Sequence, residues 1–197
     1  MIKRSFDILS SSIVLLLFIP FFLVIALLIL FDSPGGVFFK QTRVGRYGKH
    51  FLLYKFRTMR PDSESKGQIT VGSRDSRITS IGYFLRKFKL DEFPQLINVI
   101  YGEMSVVGPR PEVPQYVEMY TEKQRQVLSV RPGLTDFASL EYINENEILA
   151  NSENPEEEYV KQVMPAKLDL NLKYIAQQSI LTDLKIIFKT LARIVGI

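Results

Sequence analysis

The sequence has no cysteine and a single histidine, His50, among its 197 residues. Without cysteine there can be no disulfide framework, no thiolate zinc site and no cysteine nucleophile. A Ser-His-Asp triad could be built on His50 alone, and every mechanism that needs two histidines is excluded. If the chain is an enzyme, its chemistry is therefore predicted to rest on carboxylates, hydroxyls, lysines or a metal held by oxygen atoms.

Charge is unevenly distributed along the chain. Residues 1–90 carry 15 Lys and Arg against 5 Asp and Glu, whereas residues 91–197 carry 10 against 16. Hydrophobic residues make up 46% and charged residues 23% of the sequence, which excludes a disordered chain, and the length favours one compact domain. The basic half also contains the most apolar stretch, so these two features have to be interpreted together.

That apolar stretch runs from Ile13 to Phe31, and none of its 19 residues has a polar side chain. A membrane-spanning helix needs roughly 20 apolar residues. A cleaved signal peptide fits poorly because no A-x-A-like site follows, and a buried core helix would usually show a polar stripe. The stretch is therefore predicted to be a membrane-inserted helix.

The flanks of this helix bear on its topology. Lys3 and Arg4 precede it, and residues 37–61 hold seven basic residues and no acidic one. Basic flanks prefer the cytoplasmic side of a membrane, so both ends favour the same side. Pro20, near the middle, removes one backbone hydrogen bond and kinks the helix. A re-entrant helix satisfies both flanks, and a single-pass anchor with an ordinary proline kink is the alternative.

The basic segment after the helix is interleaved with aromatic residues, a pattern also found in nucleic-acid-binding proteins. Beside a membrane insert, a layer that faces anionic lipid headgroups is the preferred interpretation. No nucleic-acid partner is therefore predicted.

Hydrophobic periodicity and turn residues predict the elements of the remaining chain. Residues 61–77 are polar and rich in serine and glycine, which predicts a loop, and the acidic segment 141–158 is predicted to be partly helical. The elements predicted with clear patterns are a hairpin of Val37–Arg43 and Phe51–Thr58 and helices over 81–89, 94–101, 114–130 and 180–195, the last one amphipathic.

Two adjacent carboxylates, Asp91 and Glu92, precede a helix that begins at Pro94, with Arg86 and two lysines just upstream. Neighbouring cations keep carboxylates ionised. An ionised aspartate can act as a covalent nucleophile, and its neighbour can help to hold Mg²⁺. The alternative is a helix N-cap with surface salt bridges, which this segment alone would favour.

Two rigid loops each present one arginine beside prolines, Arg110 and Arg131. A guanidinium group suits bidentate phosphate binding, although Pro-Gly sequences also mark ordinary turns. Together with the carboxylate pair and the basic hairpin, these loops predict a polyphosphate site. Asp183 is the acidic residue of the last amphipathic helix, where compensation of the helix dipole is the plain explanation.

The chain resembles the bacterial monotopic phosphoglycosyl transferases, also called bacterial sugar transferases, and looks like their small, catalytic-unit form. The resemblance covers nearly the whole chain. Its motifs are Lys3-Arg4-Ser5-Phe6-Asp7, the apolar run with Pro20, Tyr54-Lys55-Phe56-Arg57-Thr58-Met59, Leu90-Asp91-Glu92-Phe93-Pro94-Gln95-Leu96, Met104-Ser105-Val106-Val107-Gly108-Pro109-Arg110-Pro111, Arg131-Pro132-Gly133-Leu134-Thr135 and Thr182-Asp183-Leu184-Lys185-Ile186.

The resemblance implies an activity and a mechanism. Such enzymes transfer a sugar 1-phosphate from a UDP-sugar to polyprenol (undecaprenyl) phosphate, release UMP and start bacterial glycan assembly. It implies that Asp91 is the nucleophile and forms an aspartyl-phosphosugar, and that Glu92 assists with Mg²⁺ and site geometry. Asp183 is expected as a further metal ligand, and the expected substrate-binding residues are Arg86, Arg110, Arg131, Lys55 and Arg57.

The resemblance also implies an α+β, mostly helical monotopic membrane protein with a re-entrant helix broken at Pro20, a small β-hairpin and amphipathic interfacial helices. Residues 1–36 would enter the bacterial inner membrane, and residues 37–197 would form the catalytic domain on its cytoplasmic face. The sequence departs from the family pattern at Ile19, where some members have serine, and over residues 136–150, where a donor-contacting arginine has no equivalent. The alternative function is a non-catalytic, membrane-anchored protein that binds anionic lipid through its basic hairpin.

Overall fold

The computed structural model describes residues 2–61, 63, 75–142 and 144–195. Most of the predicted loop 61–77 lies outside the described residues. The strands are β1 (Phe38–Val44), β2 (His50–Phe56), β3 (Ser105–Val107) and β4 (Gly133–Thr135). The helices are α1 (Ile2–Asp32), α2 (Ser80–Lys87), α3 (Gln95–Tyr101), α4 (Pro114–Glu118), α5 (Glu122–Arg125), α6 (Phe137–Glu141), α7 (Glu145–Ala150), α8 (Pro155–Glu158), α9 (Met164–Ala176) and α10 (Ile180–Val195).

Helix α1 is long and apolar enough to cross a membrane, and it is the helix with that property in the described part of the chain. Most of its large apolar side chains are exposed, as expected for a helix surrounded by lipid rather than by a protein core. The helix continues through Pro20, so this residue does not divide it into two helices. The change of direction predicted at Pro20 stays a prediction, whereas the mostly helical α+β architecture is confirmed.

Both ends of α1 are held by the rest of the chain. At its start, Arg4 donates hydrogen bonds to the carbonyl oxygens of Val99 and Ile100, and Asp7 accepts hydrogen bonds from residues 105 and 106. At its end, Asp32 accepts a 2.9 Å hydrogen bond from the backbone N–H of Ile81. The two ends of one long apolar helix are therefore bound to the same folded unit.

The predicted hairpin is confirmed within two residues at each boundary. β1 and β2 are antiparallel, with Phe38 opposite Phe56 and Val44 opposite His50. Alternation along β2 turns Phe51 and Leu53 into a small core with residues of α3 and the following loop. Lys55 lies on the same face of β2, two residues beyond Leu53 and near the end of the strand.

Helices α2 and α3 agree with the predicted helices over 81–89 and 94–101 to within about one to two residues, and a sharp turn joins them. The hydroxyl of Thr79 caps the start of α2 by accepting a hydrogen bond from the backbone N–H of Gly82. After α2, Lys89 adopts a left-handed backbone conformation with φ of 55°, and a 3₁₀ turn over Leu90–Glu92 follows. Because the chain changes direction at Lys89, residues 90–92 do not continue helix α2.

The two arginine loops of the sequence meet as a short parallel pair, β3 with β4, which the sequence reading did not predict. The backbone N–H of Gly108 donates to the carbonyl of Thr135, and that of Gly133 donates to the carbonyl of Pro109. The approach is so close that a Cβ atom at Gly133 would lie 2.0 Å from the nitrogen of Gly108. Glycine is required here because the two backbones are in contact.

We therefore expect Gly133→Ala to lower the free energy of unfolding by about 3 kcal/mol, because backbone atoms would have to separate. The matched control is Gly36→Ala, whose added Cβ would meet its nearest neighbour, the carbonyl oxygen of Phe38, at an ordinary 4.0 Å. Thermal unfolding in detergent measures both. Equal melting temperatures for the two variants would contradict the close pairing of β3 and β4.

The predicted continuous helix over 114–130 is wrong, because the chain forms α4, α5 and a 3₁₀ turn over Gln126–Ser129 instead. Thr121 and Gln124 form a capping box that starts a new helix inside that range.

The acidic segment 141–158 is partly helical as predicted, through α7 and α8. Helix α10 has the predicted bounds, buries Asp183 and Ile186, and exposes apolar side chains at 181, 188 and 191.

Candidate active site

The carboxylate pair lies in the 3₁₀ turn between α2 and α3, where Asp91 is 6% and Glu92 is 9% exposed. Neither side chain caps α3, whose N-cap residue is Pro94 without a side-chain hydrogen bond. The plain interpretation, a helix cap with surface salt bridges, is therefore wrong. Two buried adjacent carboxylates need cations nearby, because burying an unpaired charge is costly.

Glu92 is held by cations from two distant motifs. Its Oε1 atom accepts a 2.9 Å hydrogen bond from Nζ of Lys55 and a 2.5 Å hydrogen bond from a terminal nitrogen of Arg110. Burial alone would raise the pKa of Glu92, but Arg110 and Lys55 outweigh it and hold that pKa well below its usual value. Glu92 is therefore a fixed negative charge that joins β2, the 3₁₀ turn over Leu90–Glu92 and the loop that follows β3.

Asp91 has a different environment. Within the described ranges, no side chain or backbone group forms a hydrogen bond or ion pair with its carboxylate. Burial raises the pKa of Asp91, the charge of Lys55 opposes this rise, and the charge of Glu92 adds to it. One carboxylate is thus locked in an ion-pair network while its neighbour is left poorly stabilised, a contrast typical of reactive groups.

Arg86 lies on the other side of the pair. Its Nε atom donates a 2.9 Å hydrogen bond to the hydroxyl of Thr58, just beyond β2, and its charge lowers the pKa of Asp91. Close packing of α2 against the backbone at Thr58 holds Arg86 near the Thr58 hydroxyl. A Cβ atom at Gly82 would lie only 2.1 Å from the carbonyl oxygen of Thr58. The structure thus brings Arg86, Lys55 and Arg110 to the carboxylate pair, and phosphate binding by this cluster stays a prediction.

Asp183 is not part of this cluster. Its Oδ2 atom lies 2.5 Å from Nζ of Lys3, and its Oδ1 atom accepts a 2.7 Å hydrogen bond from the hydroxyl of Tyr174. In the portion of the chain that the structure describes, no group of three or more potential metal-ligating residues is present. The predicted ligand set of Asp91, Glu92 and Asp183 is therefore corrected: Asp183 anchors the start of α1 to α10.

Asp91 and Glu92 without Asp183 are still suited to binding Mg²⁺. Mg²⁺ is commonly held by one or two carboxylates together with substrate phosphates and water, and does not need an all-protein cage. The carboxylate of Asp91 has no partner within the described ranges, and Oε2 of Glu92 has one long contact, 3.4 Å from Arg110. Adjacent carboxylate oxygens with free coordination sites fit a hard divalent cation.

Arg57 has a structural position that argues against the predicted substrate-binding role. Its guanidinium group donates to the carbonyl oxygens of Ile29, Ser33, Pro34 and Gly36 and to the hydroxyl of Ser33. These contacts use all five N–H groups of an arginine side chain. Arg57 therefore fixes the end of α1 and the turn that follows it.

Arg131 is also directed elsewhere. Its Nε atom donates a 2.8 Å hydrogen bond to the carbonyl oxygen of Gly102, at the end of α3. The loop of Arg131 pairs with the loop of Arg110, yet the two guanidinium groups have different partners. The expectation that Arg131 binds substrate therefore has no support from its contacts.

Asp136 contributes to the site although the sequence reading did not single it out. It is completely buried, accepts a hydrogen bond from the backbone N–H of Arg110, and caps α6 by accepting another from the backbone N–H of Ser139. Asp136 thereby fixes the loop that carries the Arg110 side chain to Glu92. The available signal was an aspartate directly between a strand and a helix.

The pKa directions predict the pH dependence of any reaction that needs ionised Asp91. Its pKa is raised, so activity should be lost as pH falls, at a pH above the ordinary range of aspartate. Lys55→Met removes a charge that lowers the pKa of Asp91, so the acidic limb of kcat/KM for the donor should move to higher pH. The control Lys40→Met, on the exposed face of β1, should leave the limb in place. A shift to lower pH in Lys55→Met would contradict this electrostatic arrangement.

Comparison with known proteins agrees with the resemblance. The family model described as bacterial sugar transferase matches residues 1–196. The chain is 38% identical to the exopolysaccharide production protein ExoY of Rhizobium meliloti, over 97% of this chain and 84% of that protein. It is 36% identical to the UDP-glucose:undecaprenyl-phosphate glucose-1-phosphate transferase of Escherichia coli, over 96% of this chain and 39% of that protein.

A third relative is the UDP-N-acetylgalactosamine-undecaprenyl-phosphate N-acetylgalactosaminephosphotransferase of Aeromonas hydrophila, 35% identical over 98% of this chain and 43% of that protein. The relatives named for an activity are thus transferases that act on undecaprenyl phosphate, and others are named for exopolysaccharide production. The chain belongs to the bacterial sugar transferase family.

Proposed function

We propose that this protein transfers a sugar 1-phosphate from a UDP-sugar to polyprenol phosphate, releases UMP, and so performs the first membrane step in the assembly of a bacterial glycan. The observation that carries the proposal is the buried pair in which Glu92 is clamped by Lys55 and Arg110 while Asp91 has no partner within the described ranges. A non-catalytic lipid-binding protein has no use for such a pair. Lys55 and Arg43 of the basic hairpin are moreover engaged in ion pairs with Glu92 and Glu112.

The proposed reaction has two displacements at one phosphorus atom. A carboxylate oxygen of Asp91 attacks the phosphorus that carries the sugar, and the bond from that phosphorus to the bridging oxygen breaks, so that UMP leaves. An oxygen of polyprenol phosphate then attacks the same phosphorus and breaks its bond to Asp91. The products are the polyprenyl-diphosphate sugar and a regenerated Asp91 carboxylate.

Mg²⁺ is proposed as the cofactor, held by Asp91 and Glu92, and when bound it would neutralise charge on the donor diphosphate. Arg110 and Lys55 keep Glu92 ionised and add positive charge beside the reacting phosphate. Arg86, fixed by Thr58, presents a further positive charge to Asp91. The site therefore offers cations from three different elements to a substrate that carries several negative charges.

A direct assay tests the proposal. The detergent-solubilised protein is incubated with a UDP-sugar, polyprenol phosphate and Mg²⁺, and UMP is measured across a panel of UDP-sugars. Release of many UMP molecules per enzyme that depends on the acceptor, with formation of a polyprenyl-diphosphate sugar, is the expected result. If no donor in the panel yields UMP while the protein still binds polyprenol phosphate, the non-catalytic alternative replaces the proposal.

We propose that α1 takes a re-entrant position in the inner membrane, with residues 37–197 on the cytoplasmic face, and the contacts of both helix ends support the re-entrant part of this proposal. If straight, the helix would separate residues 5 and 30 by roughly 37 Å, more than the hydrocarbon thickness of about 30 Å. Yet Arg4 and Asp32, at opposite ends, both contact the same folded unit. A spanning helix would require its basic start to leave that unit and cross the bilayer.

Cysteine labelling tests this topology, because the chain has no native cysteine. With Ile2→Cys, we expect protection from a membrane-impermeant thiol reagent in intact cells and labelling after permeabilisation. Addition of Pro20→Ala should expose the new thiol at position 2 in a fraction of the molecules, since a straighter helix favours crossing. The control Lys123→Cys, on the folded unit, should be protected with and without Pro20→Ala. Labelling of the Ile2→Cys variant together with protection of the Lys123→Cys variant, both with Pro20 intact, would show that the helix spans.

A further inference from the structure

A row of phenyl rings connects the middle of α1 with the 3₁₀ turn over Leu90–Glu92. Phe93 directly follows Glu92 in the chain, and its ring centroid lies 5.5 Å from that of Phe22 and 6.1 Å from that of Phe18. The ring of Phe22 also lies 5.9 Å from that of Phe56. The rings are tilted against one another at contact distance, which is a favourable arrangement for aromatic pairs.

This row begins directly beside the charged cluster. Lys55 and Glu92 form an ion pair, and the next residue of each segment, Phe56 or Phe93, contacts Phe22. On β2, successive side chains point to opposite faces, which separates Lys55 from Phe56. The charged cluster and the row of rings therefore adjoin at two places, where Glu92 is followed by Phe93 and Lys55 by Phe56.

The far end of the row is accessible from the region of α1 that is apolar on all sides. Phe18 is 38% and Phe21 is 41% exposed, and Leu17 and Ile19 beside them are more exposed still. The buried packing between α1 and α2 is supplied by other residues, Ile25, Ile29 and Leu85. The accessible rings at 18 and 21 are therefore not needed to close a core.

We infer that Phe18, Phe21, Phe22 and Phe93 form the binding surface for the isoprenoid chain of the acceptor. This inference rests on the proposed function, because it takes polyprenol phosphate as the acceptor. The phosphate of that lipid has to reach Asp91 while its chain stays in hydrocarbon, and the row of rings joins these two environments. Isoprene units carry double bonds, whose electrons and vinylic hydrogens interact with the charge distribution of an aromatic ring, whereas a saturated chain makes dispersion contacts alone.

Photocrosslinking locates the bound isoprenoid chain of the acceptor without requiring catalytic turnover. The probe is a polyprenyl phosphate analogue with a diazirine in its first isoprene unit, added to the full-length protein in liposomes. We expect labelled peptides that contain residues 18–22 or Phe93. Labelling confined to the outer face of α10, around Phe188 and Leu191, or absence of labelling, would overturn the inference.

Selectivity among acceptors provides an independent measurement. Phe22→Leu and the milder Phe18→Leu should raise the KM for an isoprenyl phosphate about fivefold, and the KM for a straight-chain alkyl phosphate of equal length much less. Phe84→Leu is the control, because this exposed ring of α2 contacts Phe88 rather than the row. It should change neither KM. If Phe22→Leu and Phe18→Leu lower activity equally with both acceptors, the rings only support the fold and the inference is wrong.

The two tests also separate this inference from the proposed function. If crosslinking maps to the row of rings but the protein releases no UMP from any donor, the binding surface stands and the transferase activity fails. If UMP is released but crosslinking maps elsewhere, the activity stands and the binding surface fails.

Discussion

Asp91→Asn is expected to lower the rate of UMP release by about 10⁴-fold or more, because an amide cannot attack phosphorus as a carboxylate does. The melting temperature should stay unchanged or rise. The Asp91 carboxylate is buried, and no described residue pairs with it, so a neutral isostere removes an unfavourable charge. The rate is measured by UMP release and the stability by thermal unfolding in the same detergent.

Glu92→Gln should behave differently. It leaves the partly buried cations Lys55 and Arg110 without their anion, which should lower the free energy of unfolding by about 3 kcal/mol as well as the rate. Asp169→Asn, on the exposed face of α9, is the control and should change neither quantity. Near-normal UMP release from Asp91→Asn would remove Asp91 as the nucleophile. A large loss of stability in that variant would instead indicate a structural role.

Removing the ion pair of Lys3 and Asp183 should destabilise the protein by about 3 to 5 kcal/mol, since either single change leaves a buried or half-buried charge unpaired. We expect Asp183→Asn and Lys3→Met to lower the melting temperature to a similar extent. The double variant should cost clearly less than the sum of the two, because the residues act on each other. Thermal unfolding of all three variants measures this coupling.

The matched control for this cycle is the pair of Lys123 and Asp169, whose side chains are exposed and 3.4 Å apart. Exposed pairs contribute little, so its cycle should show a coupling near zero. A magnesium titration then distinguishes the two possible roles of Asp183, a structural anchor or a metal ligand. If Asp183→Asn raises the Mg²⁺ concentration needed for half-maximal activity while Lys3→Met does not, Asp183 is a metal ligand and the anchor assignment is wrong.

Local patterns predicted the elements that build the site. The alternation of residue types along the two strands located the hairpin. Pro94 marked the start of the helix after the carboxylate pair. The resemblance implied that Lys55 and Arg57 both bind substrate, but the contacts of Arg57 are with the end of α1 and the turn after it. Alternation places residues two apart on the same face, but β2 ends at Phe56, so Arg57 can turn toward the end of α1.

Partners that are far apart in the chain could not be predicted in this way. The contact of Lys3 with Asp183 joins residues 180 positions apart, and no local period encodes it. The pairing of β3 with β4 rests on three-residue strands, too short to show alternation. The mutual contact of Gly108 and Gly133 explains why both arginine loops contain glycine, but each glycine alone resembles an ordinary turn.

The anchoring of α1 at both ends has a consequence for synthesis in the cell. The apolar helix leaves the ribosome before Val99, Ile100 and then Asp183, which hold its start and are translated only after many further residues. Because domains fold as their residues emerge, the newly made helix must remain in the membrane with an unsatisfied basic end until those residues have been made. Factors that delay crossing of Lys3 and Arg4 during this interval should therefore decide how many molecules mature correctly.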